Sequence, residues 1–432
     1  MRDISWVRDS QFYHIYPLGA LGCPRENLGQ KTAGHRILKL MDWRDHLLDL
    51  GINAVYLGPI FESGSHGYDT YDYYNIDSRL GTNEDFKRVC RHFHEKGIKI
   101  VLDGVFNHVG RGHISVKDII NNRESSSYAS WISGLNFYGN NSYNDGFSYD
   151  CWANAQELVK LNHRCPDVEN HILGAIDMWI KDFGIDGLRL DAADCIDRDF
   201  FRRLKTFAEE KKSTFWLMGE IIHGDYNIYV NDDMLDAVTN YECWKGIYSS
   251  HNDHNYFEIN YAMKRQWGQG GLYLGKYLYN FLDNHDVNRI YNLLKEKDNI
   301  YPCYTLLYTM PGVPSIYYGS EWAIEGDKNM GQGDWALRPE INPSDMMDNN
   351  PDLIDHIKTL GQVRKESKAI RYGIYQEVQV RNESLVFARE FEDEWAVVAL
   401  NSTDNDIHLD FNYKEKNYQV DLGPHGSKII KF

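Results

Sequence analysis

Short apolar runs alternate along most of the chain with segments whose apolar positions recur three and four residues apart. The runs read as parallel strands buried on both faces, and the helical spacing as the crossovers that cover them. A first strand is predicted at Phe12–Leu18, then a helix over Ile37–Leu50 that stops at Gly51. Ile52–Leu57 is a second strand, Asn83–Lys96 a helix ended by Gly97, and Ile98–Leu102 a third strand. The alternation then breaks. Residues 109–165 are rich in Ser, Asn, Gly and Tyr and lack a strong helical period, which marks a functional insertion. It resumes with a helix over Val168–Phe183, with Asp167 as its predicted N-cap and Gly184 as its stop. Leu188–Leu190, Phe215–Met218, Val238, Tyr279–Leu282 and Ser315–Tyr318 supply strands four to eight. Repeated strand–helix units imply a parallel sheet, and eight of them favour closure into a barrel.

Beyond a helix over Pro351–Glu366 the period changes to two. Glu377–Val380, Leu385–Glu390, Trp395–Leu400, Ile407–Phe411, Tyr418–Leu422 and Ser427–Phe432 read as short strands between turns. The expected architecture is therefore α/β: a (β/α)8 TIM barrel from residues 1–108 and 166–366, a domain inserted after strand three at 109–165, and a C-terminal β-sandwich at 367–432.

Composition narrows the partners. The 432 residues carry a net charge of -17, which argues against nucleic acid and against an anionic membrane surface. No apolar stretch approaches a membrane span, and Met1–Trp6 lacks the apolar core of a signal peptide. The seven cysteines are odd in number and show no close metal-type spacing, so free thiols in a reducing compartment are expected. Together these point to a cytoplasmic location. Aromatic residues reach 14%, led by 30 tyrosines, a composition suited to sugars, with their CH-rich faces and hydroxyl rims.

Three acids sit at or just past the ends of strand runs: Asp191 after Gly187–Leu190, Glu220 after Phe215–Gly219, and Asp286 after Phe281–His285. The C-terminal rim of a barrel is where catalytic groups are carried, and paired carboxyls there suit cleavage of glycosidic bonds. Strand parity places Arg189 and Asp191 on one face, where the guanidinium favours an ionised Asp191. The bland reading of that pair is a buried register pin. Trp216 and Met218 share the parity of Glu220, and desolvation by such neighbours favours the protonated form that a general acid needs. Asn107-His108 and Asn284-His285 add hydrogen-bond donors at the same rim.

Four ordered stretches carry a resemblance. Asp103-Gly104-Val105-Phe106-Asn107-His108, Gly187–Asp191, Gly219-Glu220-Ile221 and Phe281–Asp286 resemble the signature sequences of the alpha-amylase family of glycoside hydrolases. Val159-Lys160-Leu161-Asn162 and Gly312–Glu321 are similar to two flanking motifs of that family. The resemblance implies a retaining alpha-glycosidase acting on maltodextrins or related alpha-glucans. In it Asp191 is the nucleophile, Glu220 the acid and then the base, and Asp286 binds sugar hydroxyls and favours the distorted transition state. Arg189, His108 and His285 would hold the sugar beside the cleaved bond. Tyr68 would stack on it with His66 alongside. His223 and Lys160 would line the leaving-group side.

No metal is expected to be required, since Pro17–Gly29 lacks an acidic calcium-loop pattern. Asn107 matches a residue that ligates calcium in some members, with Asp145 and Asp150 as candidate partners for a structural ion. Two further readings stay open. One is a transglycosylase, which shares the intermediate but resolves it with a sugar hydroxyl. The other is a non-catalytic, transporter-associated binding subunit, which need not keep all three acids. The partner is an oligosaccharide, and the oligomeric state is left open.

Overall fold

Eight parallel strands form one closed sheet in this computed structural model, which describes residues 3–29 and 34–431. The strands are Phe12–Ile15, Ala54–Leu57, Lys99–Gly104, Gly187–Leu190, Trp216–Gly219, Ala237–Val238, Tyr279–Phe281 and Val313–Tyr317. Their spatial order follows the chain, with the first strand beside the eighth. A parallel bridge from Thr239 to Tyr279 joins strands six and seven and closes the barrel. The expected strand parity holds. Leu188 and Leu190 pack outward into the main core, whereas Phe12, Tyr56, Trp216, Met218, Tyr279 and Phe281 fill the barrel interior.

Element boundaries differ from the sequence reading in instructive ways. Strand one stops at Ile15 because Pro17 opens a short helix, Pro17–Ala20. The first crossover is a 3-10 helix, Arg36–Trp43, followed by an α-helix, Arg44–Asp49, rather than one α-helix over Ile37–Leu50. The helix expected from Val168 begins at Pro166, whose fixed φ suits the first helical position. Cys165 therefore occupies the N-cap position expected of Asp167, and Trp179–Phe183 widens into a π-turn.

Residues 109–165 are more regular than their composition suggests. They hold a helix, Ile114–Asn122, and most of a three-stranded antiparallel sheet of His108–Gly110, Ala155–Lys160 and Cys151–Trp152. The C-terminal strands form two antiparallel sheets. Val386, Ala388, Val397 and Ala399 of one face Leu409, Phe411, Val420 and Leu422 of the other across a shared core. The last strand is Ser427–Lys431, and Phe432, expected to end it, lies outside the described residues. All seven cysteines are free thiols. No described helix is long and apolar enough to cross a membrane.

Candidate active site

Arg189 is the centre of the rim. It projects from strand four, and Asp103 on strand three is its register partner. Gly187 at the start of strand four lets strand five come close, since a Cβ there would lie 2.6 Å from the Trp216 carbonyl oxygen. The Arg189 Nη1 donates to both oxygens of Asp103 at 2.9 and 3.0 Å and to Asp191 Oδ1 at 3.0 Å. Its Nη2 lies 2.7 Å from Glu220 Oε1. One guanidinium thus holds Asp191 and Glu220 on adjacent nitrogens. A shared guanidinium keeps the two carboxyls close to one another, as a nucleophile and its acid partner must be in a retaining site.

Two expectations are corrected here. Apolar neighbours alone do not surround Glu220: besides Arg189, its Oε2 accepts from the Ala192 amide at 3.1 Å and its Oε1 from the Tyr241 hydroxyl at 3.4 Å. Nor does Arg189 keep Asp191 at an ordinary carboxylate pKa. Burial pushes the Asp191 carboxyl well up, Arg189 opposes the rise, and Glu220, Asp103 and Asp286 reinforce it. The physical reason is sharing: the single positive charge of Arg189 is divided among three carboxylates.

Asp286 stands apart electrostatically. Burial disfavours its charge, but His285 Nε2 at 2.9 Å and Arg338 Nη2 at 3.0 Å overcome this and hold its carboxyl far below the usual range. The Asp286 amide donates to Asn284 Oδ1 at 2.7 Å, which fixes the loop after strand seven. The His285 ring lies between Tyr68 and Tyr16, nearly parallel to both, with centroids 5.4 and 5.8 Å away. The Tyr68 hydroxyl pairs with His285 Nε2 and donates to Asp103 Oδ2 at 3.1 Å.

Tyr68 and His66 sit in the turn of an antiparallel pair, Phe61–Ser63 with Thr70–Ile76. Arg79 anchors this turn by donating to the Ser65 carbonyl at 2.6 Å. His108 is buried, and burial lowers its pKa to about 4, so the ring is neutral at physiological pH. Its Nδ1 faces the Asn107 amide nitrogen at 3.1 Å, which leaves the proton on Nε2, 3.9 Å from Asp191 Oδ2. This N–H has no protein hydrogen-bond partner within the usual criteria and lies buried beside Asp191.

Lys160 pairs with His108 across the inserted sheet. His223 is not in the carboxylate cluster. It is exposed on an adjoining groove of about 490 Å³, also lined by Ile222, Tyr241 and Trp244.

Several site residues escaped the sequence reading. Asp103 closes the third strand run, but its alignment with Arg189 depends on register between strands, which spacing along one strand does not give. Tyr241 follows a strand of two residues, and Arg338 lies in the loop after strand eight, so neither carries a periodic signal. The calcium expectation meets a poor donor set. Asn107 Oδ1 has no partner, but Asp145 pairs with Arg111 at 2.8 Å and Asp150 accepts from Ser133 at 2.7 Å. Each acid is thus engaged by another protein group, which makes a poor donor set for a calcium at Asn107.

The alpha amylase catalytic-domain family matches residues 40–339. A cyclomaltodextrinase from Bacillus sp is 28% identical over 92% of this chain and 73% of its own length. The intracellular maltogenic amylase of Bacillus subtilis is 26% identical over 92% and 69%. Among solved structures, a cyclic alpha-maltosyl-(1-->6)-maltose hydrolase from Arthrobacter globiformis, in complex with maltose, superimposes with a TM-score of 0.86 at 27% identity. That match covers 99% of this chain and 100% of the other. With a barrel and a rim of this construction, the chain belongs to the alpha-amylase family and is a glycoside hydrolase with that family's retaining mechanism.

Proposed function

We propose that the protein hydrolyses alpha-glucosidic bonds of short linear and cyclic maltodextrins, with Asp191 as nucleophile and Glu220 as acid and then base. The observation that carries this reading is the Arg189 guanidinium spanning both carboxylates at 3.0 and 2.7 Å, opposite an Asp286 held ionised by His285 and Arg338. In the first step Glu220 gives its proton to the glycosidic oxygen as an Asp191 oxygen bonds to the sugar's anomeric carbon and the carbon–oxygen bond to the leaving sugar breaks. In the second, Glu220 removes a proton from water, the water oxygen bonds to the same carbon, and Asp191 departs as carboxylate. Asp286, anionic throughout, accepts hydrogen bonds from sugar hydroxyls and favours the positive charge of the transition state. His108 donates from Nε2, and Tyr68 offers its ring beside His285.

The names of the relatives support the choice of substrate: cyclomaltodextrinase, maltogenic amylase and a hydrolase of cyclic maltosyl-maltose. The description of one of them as intracellular supports a cytoplasmic location for this chain. The donor set around Asn107 supports activity without added metal.

The test is product analysis on maltotriose and on a cyclodextrin. Glucose and maltose as first products from maltotriose, and ring opening of the cyclodextrin, are expected, with both lost in Asp191→Asn. Oligomers longer than maltotriose at early times would replace hydrolysis by transglycosylation. A wild type inert across a panel of glucosides would leave only a binding role.

A further inference from the structure

Four loops meet where the barrel abuts the C-terminal sheets, away from the carboxylate rim. His254 follows the helix Tyr241–Asn252, and Glu296 precedes the turn Lys297–Asn299. Asp404 lies between the strands Glu394–Asn401 and Ile407–Tyr413, and His425 between Lys416–Leu422 and Ser427–Lys431. One ligating atom from each of Glu296, Asp404 and His425 lies within 4.8 Å of the others. His254 Nε2 is 3.3 Å from Glu296 Oε1.

The hydrogen bonds around the cluster fix how these groups face one another. Asn299 donates from Nδ2 to Glu296 Oε2 at 3.3 Å, so its Oδ1 is the atom turned to His425 Nδ1, at 2.9 Å. His425 Nδ1 therefore carries a proton and donates it. Its Nε2 then directs a lone pair at Asp404 Oδ1, 2.7 Å away, with the Glu296 carboxylate beside it. Two such acceptors are reconciled by a second ring proton, or by a cation to which both atoms turn side by side with a small separation. A histidine that donates from one nitrogen to a side-chain oxygen and offers the other is the arrangement found in metal sites. His254 lies beside this group, with Nδ1 at 3.5 Å from Ser402 Oγ and Nε2 toward Glu296.

The loops are held together independently of any ion. Asn401 Nδ2 donates to the Asn405 and Gly423 carbonyls, both at 2.8 Å, which ties the Asp404 loop to the His425 loop. The His425 side chain is only 5% exposed whereas that of Asp404 is 78% exposed, so the site has a buried anchor and an open entrance.

We propose that Glu296, Asp404 and His425 bind one divalent transition-metal ion of the zinc class and so pin the C-terminal domain to the barrel. An imidazole nitrogen with two carboxylates suits zinc, and the nitrogen disfavours calcium and magnesium, which take oxygen ligands. The two carboxylates also carry the charge that a divalent cation neutralises.

The full-length protein, stripped with a chelator, is titrated with zinc chloride against a competing chromophoric chelator and then melted with and without one equivalent. One zinc per chain and a raised melting midpoint are expected. The double variant Asp404→Ala/His425→Ala should bind at least tenfold more weakly and lose the rise. Asn299→Ala, which removes only the supporting hydrogen bond, should weaken binding about 10–100-fold. Glu296→Gln preserves shape, and its circular dichroism separates loss of the ion from loss of fold. No zinc uptake by the wild type would overturn the proposal. Uptake and rise unchanged in the double variant would overturn it as well.

Discussion

Replacing Asp191 with Asn should abolish turnover and at the same time stabilise the fold. Asn is isosteric, so its Oδ1 can still accept from Arg189 Nη1, as Asp191 does at 3.0 Å. What disappears is one of four carboxylates, Asp103, Asp191, Glu220 and Asp286, that share the guanidinium groups of Arg189 and Arg338. Unit charges 4 Å apart interact by roughly 4 kcal/mol at an effective dielectric of about 20, so each like-charge pair opposes the attraction to Arg189 by a comparable amount. Burial then decides the sign, and the Asp191 carboxyl is pushed well up.

A carboxyl whose folded pKa lies above its unfolded value binds a proton more tightly in the folded state. At neutral pH that group costs stability; the cost starts to shrink once pH falls below the folded pKa and is gone only below the unfolded pKa. Asp191→Asn should therefore gain about 0.5–2 kcal/mol at neutral pH. The gain should shrink on acidification, since both proteins are then neutral at this position. Turnover should fall roughly 10⁴–10⁶-fold, the range seen when a nucleophile is removed. Urea unfolding at several pH values, with kcat on maltotriose, reads both. A variant less stable than wild type at neutral pH, or a gain that does not change with pH, would refute this electrostatic account.

Other outcomes follow from the same geometry. The acid limb of wild-type kcat/KM should lie above the ordinary carboxylate range, because Asp191 must lose its proton before it attacks; a limb near pH 4 would contradict the raised pKa of Asp191. His108→Ala removes an unpartnered N–H beside Asp191 and should cost about 1–3 kcal/mol in kcat/KM, or roughly 5–150-fold, by steady-state kinetics. Tyr68→Ala should raise KM for maltotriose through loss of stacking worth about 0.5–1.5 kcal/mol and should also disorder His285, so kcat falls with it; an unchanged kcat would separate the two residues. Dialysis against EDTA should leave the rate on maltotriose unchanged, whereas a loss restored by calcium would reverse the reading of Asn107, Asp145 and Asp150.

The barrel was legible where strands were long enough to show a run. Strand six holds only Ala237 and Val238, too short for any pattern, and its existence rests on pairing with Met218 and Gly219. Helix boundaries failed where a local backbone preference overrode periodicity, as Pro17 and Pro166 did. At the site, parity along one strand correctly put Arg189 with Asp191 and Glu220 with Trp216 and Met218. It could not show that Arg189 crosses to strands three and five, because that contact depends on register between strands. The environment of Glu220 was misjudged for this reason. Arg338, Tyr16 and Tyr241 reach the pocket from loops or from beyond strand ends, where nothing in the spacing marks them.

The assignment of Asp191 as nucleophile is tested most directly by trapping the intermediate. A 5-fluoro alpha-glucosyl fluoride slows breakdown of a glycosyl-enzyme, and peptide mass spectrometry then locates the sugar. The account predicts one covalent sugar per chain on the Asp191 peptide, absent from Asp191→Asn. A sugar attached to Glu220 or Asp286, or labelling that survives in Asp191→Asn, would contradict it.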